Sequence, residues 1–335
     1  MDSSSANTPG HLGRRNLLSA GIGLAALAAV EPLHAQQPPA APPARAKGPL
    51  VWLDMDQVEL DRAFDQAQYA PNIVQVTGRY ASNSKAVRTR LGAPQHVAYG
   101  PTAIEVLDIY PTKRPRAPIN IFFHGGAYRG GIAANYAFAA ETFVQAGAHF
   151  IVPDFVWVQD VGGNLMPMAD QVRRVVAWTY RNAASFGGDP DRIFVSGHSS
   201  GAHLAGAVMT TDWRKDFGLP ADVVKGGMCC SGLFEVKPMR LSARSSYIAI
   251  TDEIEQALST QRHFELLNAP LILAHGNFES PEYQRQTREF AAAVKAAGMP
   301  VRYLVGEGYN HFEIIETMAN PYGLIGRAVL EQMRL

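Results

Sequence analysis

The chain has 335 residues, 47% hydrophobic and 18% charged, and its 30 basic residues are balanced by 30 acidic ones. This is ordinary globular composition, with length enough for one large core. Balanced charge leaves no global field to draw in nucleic acid or anionic lipid, which argues against a nucleic-acid partner.

The first fifty residues differ from the rest. Gly13-Arg14-Arg15-Asn16-Leu17-Leu18 opens an apolar, alanine-rich run that ends at Val30, and Leu33-His34-Ala35 offers a small residue for cleavage. A charged start, a short apolar centre and a small-residue end describe an export signal over residues 1–35. The paired arginines resemble the bacterial twin-arginine signal, which places the mature protein in the periplasm or outside the cell. The run is shorter than the ~20 residues a bilayer span needs, so no stable membrane insertion is expected once the signal is removed. Gly21-Ile22-Gly23 lacks both a preceding strand and a third glycine, so it is no dinucleotide loop. Residues 36–49, "QQPPAAPPARAKGP", read as a proline-rich extended linker.

From residue 50 to 335 strand-like runs alternate with helical patterns. Ile119 to Phe123 is a β-rich run that ends in His124-Gly125-Gly126. Ala148 to Val152 is a second, closed by Pro153. Met168 to Asn182 carries Val172, Val175, Val176 and Tyr180 at helical spacing. Ile193-Phe194-Val195 is a third strand and runs directly into Gly197. Ala202 to Met209 is rich in helix formers, Val223 to Cys230 is a fourth strand and Leu271 to Ala274 a fifth. Glu282 to Ala297 reads as a helix stopped by Gly298-Met299-Pro300, and Val301 to Val305 as a sixth strand. The alternation predicts a mainly parallel central sheet with helices on both faces, and ligands beyond the carboxyl ends of its strands. Residues 233–268 carry no sheet signal and are a candidate helical lid. Cys229 and Cys230 are neighbours with poor disulfide geometry, so no disulfide is expected. The ten histidines are scattered without metal-ligand spacing, and neither metal nor cofactor is called for.

His124, Gly197, His275 and the 306–311 loop all fall at strand ends, and there the chemistry gathers. Gly197-His198-Ser199-Ser200-Gly201 is a G-x-S-x-G pattern between a strand and a helix. In that setting Ser199 sits on a sharp turn that its flanking glycines permit. The N–H of Ser200 then faces a developing oxyanion. The His124-Gly125-Gly126-Ala127 loop is placed to add donors, by analogy with H-G-G-G loops from Gly126 and Ala127. A serine hydroxyl needs a base, and the base needs an orienting acid. In this architecture the chain order is nucleophile, acid, histidine. His311 lies after the last strand and Glu279 after the fifth, with Glu282 and Glu307 as rivals for the acid. His198 beside the nucleophile either touches substrate or packs as a turn histidine. Phe155, Trp157 and Tyr128 either line an apolar pocket or fill the core. Asp154 and Asp170 precede Ser199 in the chain, against the order required of the acid. The stretch from Asp56 to Tyr69 is amphipathic.

Taken together, His124-Gly125-Gly126-Ala127-Tyr128, Phe186 to Arg192, Gly197 to Leu204, the Gly276–Glu279 turn and the His311 loop resemble the α/β-hydrolase fold. The resemblance covers roughly residues 55 to 330 and is to the hormone-sensitive-lipase-like and arylformamidase-like serine hydrolases. It implies a triad of Ser199, Glu279 and His311, and oxyanion or substrate contacts from Gly125, Gly126, Ala127, Tyr128, His198 and Ser200. Resemblance of the Asp56–Tyr69 stretch to the same region of arylformamidase-like hydrolases implies a place for it near the mouth of the site. Three departures stand out. The acid is glutamate where aspartate is usual, Ala127-Tyr128 departs from H-G-G-G and H-G-G-x-W, and the lipase-like Y-R-L-A-P-E segment is absent. The implied function is hydrolysis of small-acyl carboxylic esters or activated aryl amides through an acyl-enzyme. An arylformamidase-type amide hydrolase, a ligand-binding protein of the same fold with little turnover, and more weakly a peptidase are the alternatives. Ala127 is expected to disfavour positive φ and so stiffen and narrow the oxyanion loop, with Tyr128 offering a face to a flat leaving group.

Overall fold

The computed structural model describes residues 45–335; the expected export signal and most of the linker lie outside the described residues. A two-strand ribbon, β1 (Leu50–Trp52) and β2 (Met55–Asp56), leads into α1 (Gln57–Ala63). Asp56 and Glu59 close a capping box at the start of α1, each side chain accepting the other's backbone N–H. Helix α2 (Ile73–Leu91) and the antiparallel strands β3 (Gln95–Ala98) and β4 (Val106–Tyr110) follow.

The parallel part then alternates as its sequence suggests. It runs β5 (Ala117–Phe123), α3 (Ala140–Gln145), β6 (His149–Pro153), α4 (Met166–Asn182), β7 (Gly188–His198) and α5 (Ser200–Met209). After α6 (Trp213–Phe217) comes β8 (Val224–Cys230). The short helices α7 (Lys237–Leu241) and α8 (Asp252–Leu258) occupy the 233–268 stretch, which contains no strand. The chain closes with β9 (Leu271–Gly276), α9 (Pro281–Ala296), β10 (Val301–Gly306) and α10 (Leu324–Met333).

The eight strands of the main sheet lie in the order β10-β9-β8-β7-β5-β6-β4-β3, parallel from β10 to β6 and antiparallel at the β6–β4–β3 edge. Alternate residues of each central strand enter opposite cores. Ile121, Val195, Cys229 and Leu273 pack on one face with residues of α4, α5 and α9. Phe122, Phe194, Met228 and Ile272 pack on the other with residues of α2, α3 and α10. Burial on both faces is why these strands read as continuous apolar runs. Residues 47–335 form one compact unit. Among the described residues no helix is long and apolar enough to cross a membrane, and both cysteines are free and buried.

Helix α2 and strands β3 and β4 have no counterpart in the sequence reading. Of the 19 residues of α2 only Val76, Tyr80, Ser84 and Val87 are buried, a stripe too narrow and too polar to stand out. Strand β3 is largely exposed and β4 carries Asp108 at its centre, so neither shows a clean alternation.

The central strand and the following helix meet without room for a side chain. A Cβ on Gly201 would lie 2.0 Å from the Phe123 carbonyl oxygen of β5, and one on Gly197 would lie 2.1 Å from the Gly201 carbonyl oxygen. Gly201→Ala should therefore cost more than ~4 kcal/mol, the severe class of point substitutions, or prevent soluble expression. Gly78→Ala, on the open face of α2 with nothing within 4 Å, should raise the melting temperature by up to ~4 °C. Thermal unfolding followed by circular dichroism checks both.

Candidate active site

Strand β7 ends at His198 and α5 begins at Ser200, leaving Ser199 as the turn, at φ 57° and ψ −124°. A non-glycine residue in this region is strained, and it holds there because the surroundings over-determine it. The Ser199 N–H donates to the Cys230 carbonyl on β8 at 2.9 Å. The hydroxyl projects into a cleft of about 510 Å³ at the carboxyl edge of the sheet, within the ~300–1,000 Å³ typical of small-molecule sites.

His311 comes to Ser199 from the loop after β10. Its Nε2 lies 2.9 Å from Ser199 Oγ and its Nδ1 2.8 Å from Glu279 Oε2. A carboxylate only accepts, so Nδ1–H donates to Glu279 and Nε2 is left to accept the serine proton. Glu279 is buried with no Lys or Arg partner among the described residues, yet Ser231 Oγ and the Gly276 N–H each donate to its Oε1 at 2.6 Å. Three hydrogen bonds thus offset the cost of burying the charge. The two loops meet because a Cβ on Gly276 would lie 2.1 Å from the Tyr309 carbonyl oxygen. The neighbour of His311, Asn310, is tied to Asn72 of the α2 cap through Nδ2 at 2.8 Å. Asn72 in turn donates to Glu313 at 2.6 Å. The rivals for the acid are engaged elsewhere: Glu282 accepts from Arg285 and Gln286, and Glu307 from Asn277. Asp154 takes the Ala133 N–H, and Asp170 pairs with Arg173.

The loop after β5 curls over the serine. Gly126 stands at φ 131° and cannot carry a Cβ, which would lie 2.1 Å from the Gly130 carbonyl oxygen. Ala127 and Tyr128 follow at φ 54° and 66°. The expectation that alanine would keep the loop out of positive φ is thus overturned: packing of the curl outweighs the local cost for Ala127. Gly125, Gly126 and Ala127 line the cleft beside Ser199. Among the described residues, the N–H groups of Gly126, Ala127 and Ser200 have no acceptor within the protein. Free donors gathered around a serine hydroxyl are what the oxyanion of a tetrahedral intermediate requires.

Tyr128 also departs from expectation. It is buried at 2% exposure, and its hydroxyl donates to His203 Nδ1 at 2.9 Å, so it offers no face to a leaving group. His203 sits in the interior of α5 and donates from Nε2 to the Leu258 carbonyl, which leaves its Nδ1 to accept the phenol. Two successive positive-φ residues turn the Tyr128 side chain inward, where the phenol finds its partner. Phe155 and Trp157 likewise lie outside the cleft lining. Phe155 stacks on the His124 ring at 4.4 Å, and Trp157 Nε1 donates to the Gly131 carbonyl. His198 lines the cleft floor, but its Nε2–H is given to the His311 carbonyl at 2.7 Å and its ring packs 4.8 Å from that of His311. The Asp56–Tyr69 stretch reaches the mouth through Asp61, Phe64, Asp65, Gln66 and Ala67. Sequence reasoning missed Ser231, the Asn310–Asn72 clamp and the cleft residues of the 243–247 turn. None of these lies in a pattern of its own.

The BD-FAE family profile matches residues 107–225. Kynurenine formamidase of Danio rerio is 25% identical over 295 residues, covering 84% of this chain and 98% of the relative. Isoprenylcysteine alpha-carbonyl methylesterase of Arabidopsis thaliana is 24% identical over 268 residues, 73% of this chain and 60% of that protein. A crystal structure from Silicibacter sp. superposes with a TM-score of 0.71 at 19% identity, over 83% of this chain and 99% of that one. Fold and relatives together define a hydrolase of the α/β-hydrolase fold. Within that fold the chain is similar to kynurenine formamidases and to methylesterases.

Burial also sets the acid limit of the structure. The His124 and His203 imidazoles are both pushed down to about 4 because the interior disfavours their charged forms. An unfolded histidine titrates near ~6.5, so between pH 6.5 and 4 the unfolded chain holds the extra protons. Stability from these groups is therefore complete above pH 6.5 and lost as pH falls toward 4, at up to ~1.4 kcal/mol per pH unit per histidine. The melting temperature should fall between pH 7.5 and 5.5, and His203→Gln should make that slope shallower.

Proposed function

We infer that the chain is a serine hydrolase of small-acyl carboxylic esters and activated aryl amides, acting through an acyl-enzyme. The observation that carries this reading is the continuous relay from Ser199 Oγ to His311 at 2.9 Å and on to Glu279 at 2.8 Å. Ser199 attacks the carbonyl carbon while His311 Nε2 takes its proton. The oxyanion is received by the N–H groups of Ser200, Gly126 and Ala127. His311 then returns the proton to the departing alkoxide or amine, leaving Ser199 acylated. Water, deprotonated by the same imidazole, releases the acid. Glu279 holds the His311 tautomer and steadies the imidazolium.

The match to kynurenine formamidase over nearly that relative's whole length supports an aryl formamide as one substrate. The methylesterase relative supports esters. A panel of p-nitrophenyl esters of rising chain length, with aryl formamides and acetamides, separates these bonds, and hydrolysis should peak at acyl chains of four carbons or fewer. Ser199→Ala should abolish turnover, and a fluorophosphonate should label Ser199 in the native chain. Absence of that adduct in intact-mass spectra would return the protein to the class of silent hydrolase-fold binders. Glu279→Ala should lower kcat by ~10³–10⁴-fold. Loss of the Ser231 hydroxyl in Ser231→Ala, which leaves Glu279 Oε1 with one donor, should cost about ten-fold. Both are read in steady-state kinetics beside thermal melts.

The same reading places the mature enzyme outside the cytoplasm, on the strength of Arg14-Arg15 and the apolar run behind them. Replacing both arginines with lysine should abolish export, because the twin-arginine route reads the guanidinium pair and not charge alone. Activity assayed in periplasmic and cytoplasmic fractions decides it.

A further inference from the structure

The cleft above Ser199 has two chemically distinct sets of walls. One set is aromatic: Tyr80, Tyr136 and Phe312, with the Tyr80 and Tyr136 rings 5.6 Å apart. The other is cationic: Arg129 from the loop after β5, and Arg244 beside Tyr247 from the 243–247 turn. Neither arginine forms an ion pair within 4.0 Å among the described residues. Arg240 and Arg262, from the same 233–268 stretch, are by contrast fully paired with Asp252, Glu235 and Glu255.

Aromatic faces hold both cleft guanidinia. The Arg129 guanidinium lies 4.4 Å over the Tyr247 ring, and that of Arg244 lies 5.6 Å over the Phe64 ring. Stacking by the flat face positions a guanidinium without neutralising it and leaves its N–H edges outward. Of its five N–H donors, Arg244 spends one, from Nη2 to the Phe64 carbonyl at 3.0 Å, and Arg129 spends none among the described residues. The acids of the same cleft are differently placed. Asp61 accepts from Gln57 and the Ala243 N–H, and Asp65 from the Ala67 N–H and Gln68. Asp65 acts on Arg244 through its charge but stands beyond ion-pair distance. The cleft thus presents unspent cationic donors beside carboxylates that already accept hydrogen bonds, Asp65 as a cap and Asp61 from Gln57 and Ala243.

We propose that Arg244 and Arg129 form an anion subsite that selects substrates bearing a free carboxylate. The proposal rests on the reading of this cleft as a serine-hydrolase active site and narrows its substrate class. A guanidinium edge matches a carboxylate with two parallel hydrogen bonds, and the partly desolvated cleft strengthens each of them.

The test compares 3- and 4-acetoxybenzoate with the corresponding acetoxybenzamides, which keep the scissile ester and the ring but lack the charge. p-Nitrophenyl acetate serves as a neutral reference. The wild type should prefer the carboxylates by about ten-fold or more in kcat/KM, mostly through KM, the size of one or two charge-assisted hydrogen bonds. The ratio should fall partway in Arg129→Gln and in Arg244→Gln, approach unity in the double variant, and survive in part in Arg244→Lys. Because the readout is a ratio within one protein, a poorly folded variant does not mimic the result, and the exposed Arg129 gives an independent arm. A wild type that cleaves p-nitrophenyl acetate without preferring carboxylates overturns the subsite and leaves the hydrolase standing. A preference undiminished in the double variant overturns the subsite as well. Inactivity toward every ester overturns the hydrolase reading itself.

Discussion

The contact on which the rest of the structure depends is the one between the Gly201 α-carbon and the carbonyl of Phe123, too close for any side chain. Gly197 makes the same demand one turn earlier, against the carbonyl of Gly201. Together they press the first turn of α5 onto the ends of β5 and β7, and Ser199 has no conformation left except the strained one it adopts. That strain is of order 1–3 kcal/mol, small beside the two cores that bury both faces of the sheet. It delivers a hydroxyl that stands clear of the backbone, a free N–H at Ser200, and a donor bond from Ser199 to β8 that fixes the height of the turn. The loop after β5 inherits its position from the same contact, because Phe123 leads directly into His124 and Gly125.

A second close approach, between Gly276 and the Tyr309 carbonyl, does for Glu279 and His311 what the first does for Ser199. Glu279 and His311 come from loops 32 residues apart, and each loop is anchored at its far side. Glu279 is held by Ser231 and its own turn, His311 by Asn310 and Asn72. The buried histidines around them, His124 and His198, carry no charge at neutral pH, since burial drives both imidazoles toward the neutral form. Neutral neighbours let the Glu279 carboxylate act on His311 without a competing cation at short range. The guanidinia that do carry charge, Arg129 and Arg244, stand on the cleft walls.

Much of this was legible in the chain. Ser199, His311 and Glu279 announce themselves by order, each at the end of an apolar run, because a parallel sheet collects its strand ends along one edge whatever the helices between them do. The strands of β5 to β10 were readable for the same reason: burial on both faces demands unbroken apolar sequence. Signals faded where burial was partial. Helix α2 buries only four side chains, β3 sits at the exposed edge of the sheet, and the short β4 is broken by Asp108.

What only the tertiary structure decided is direction and pairing. Tyr128 stands next to the cleft-lining residues Gly126 and Ala127 in sequence, but two positive φ values turn its ring into the core toward His203, 75 residues away. Ala127 accepts the left-handed conformation because the curl from Gly126 to Gly131 is packed, a cost that local propensity alone would have refused. Ser231 reaches Glu279 across 48 residues, and Arg244 meets Phe64 across 180. Sequence determined which residues could do chemistry and in what order they reach one edge of the sheet, because periodicity and turn chemistry are local. Which side chains face the cleft, which face the core, and which charges stay unpaired depend on contacts between distant segments, and those exist only once the chain has folded.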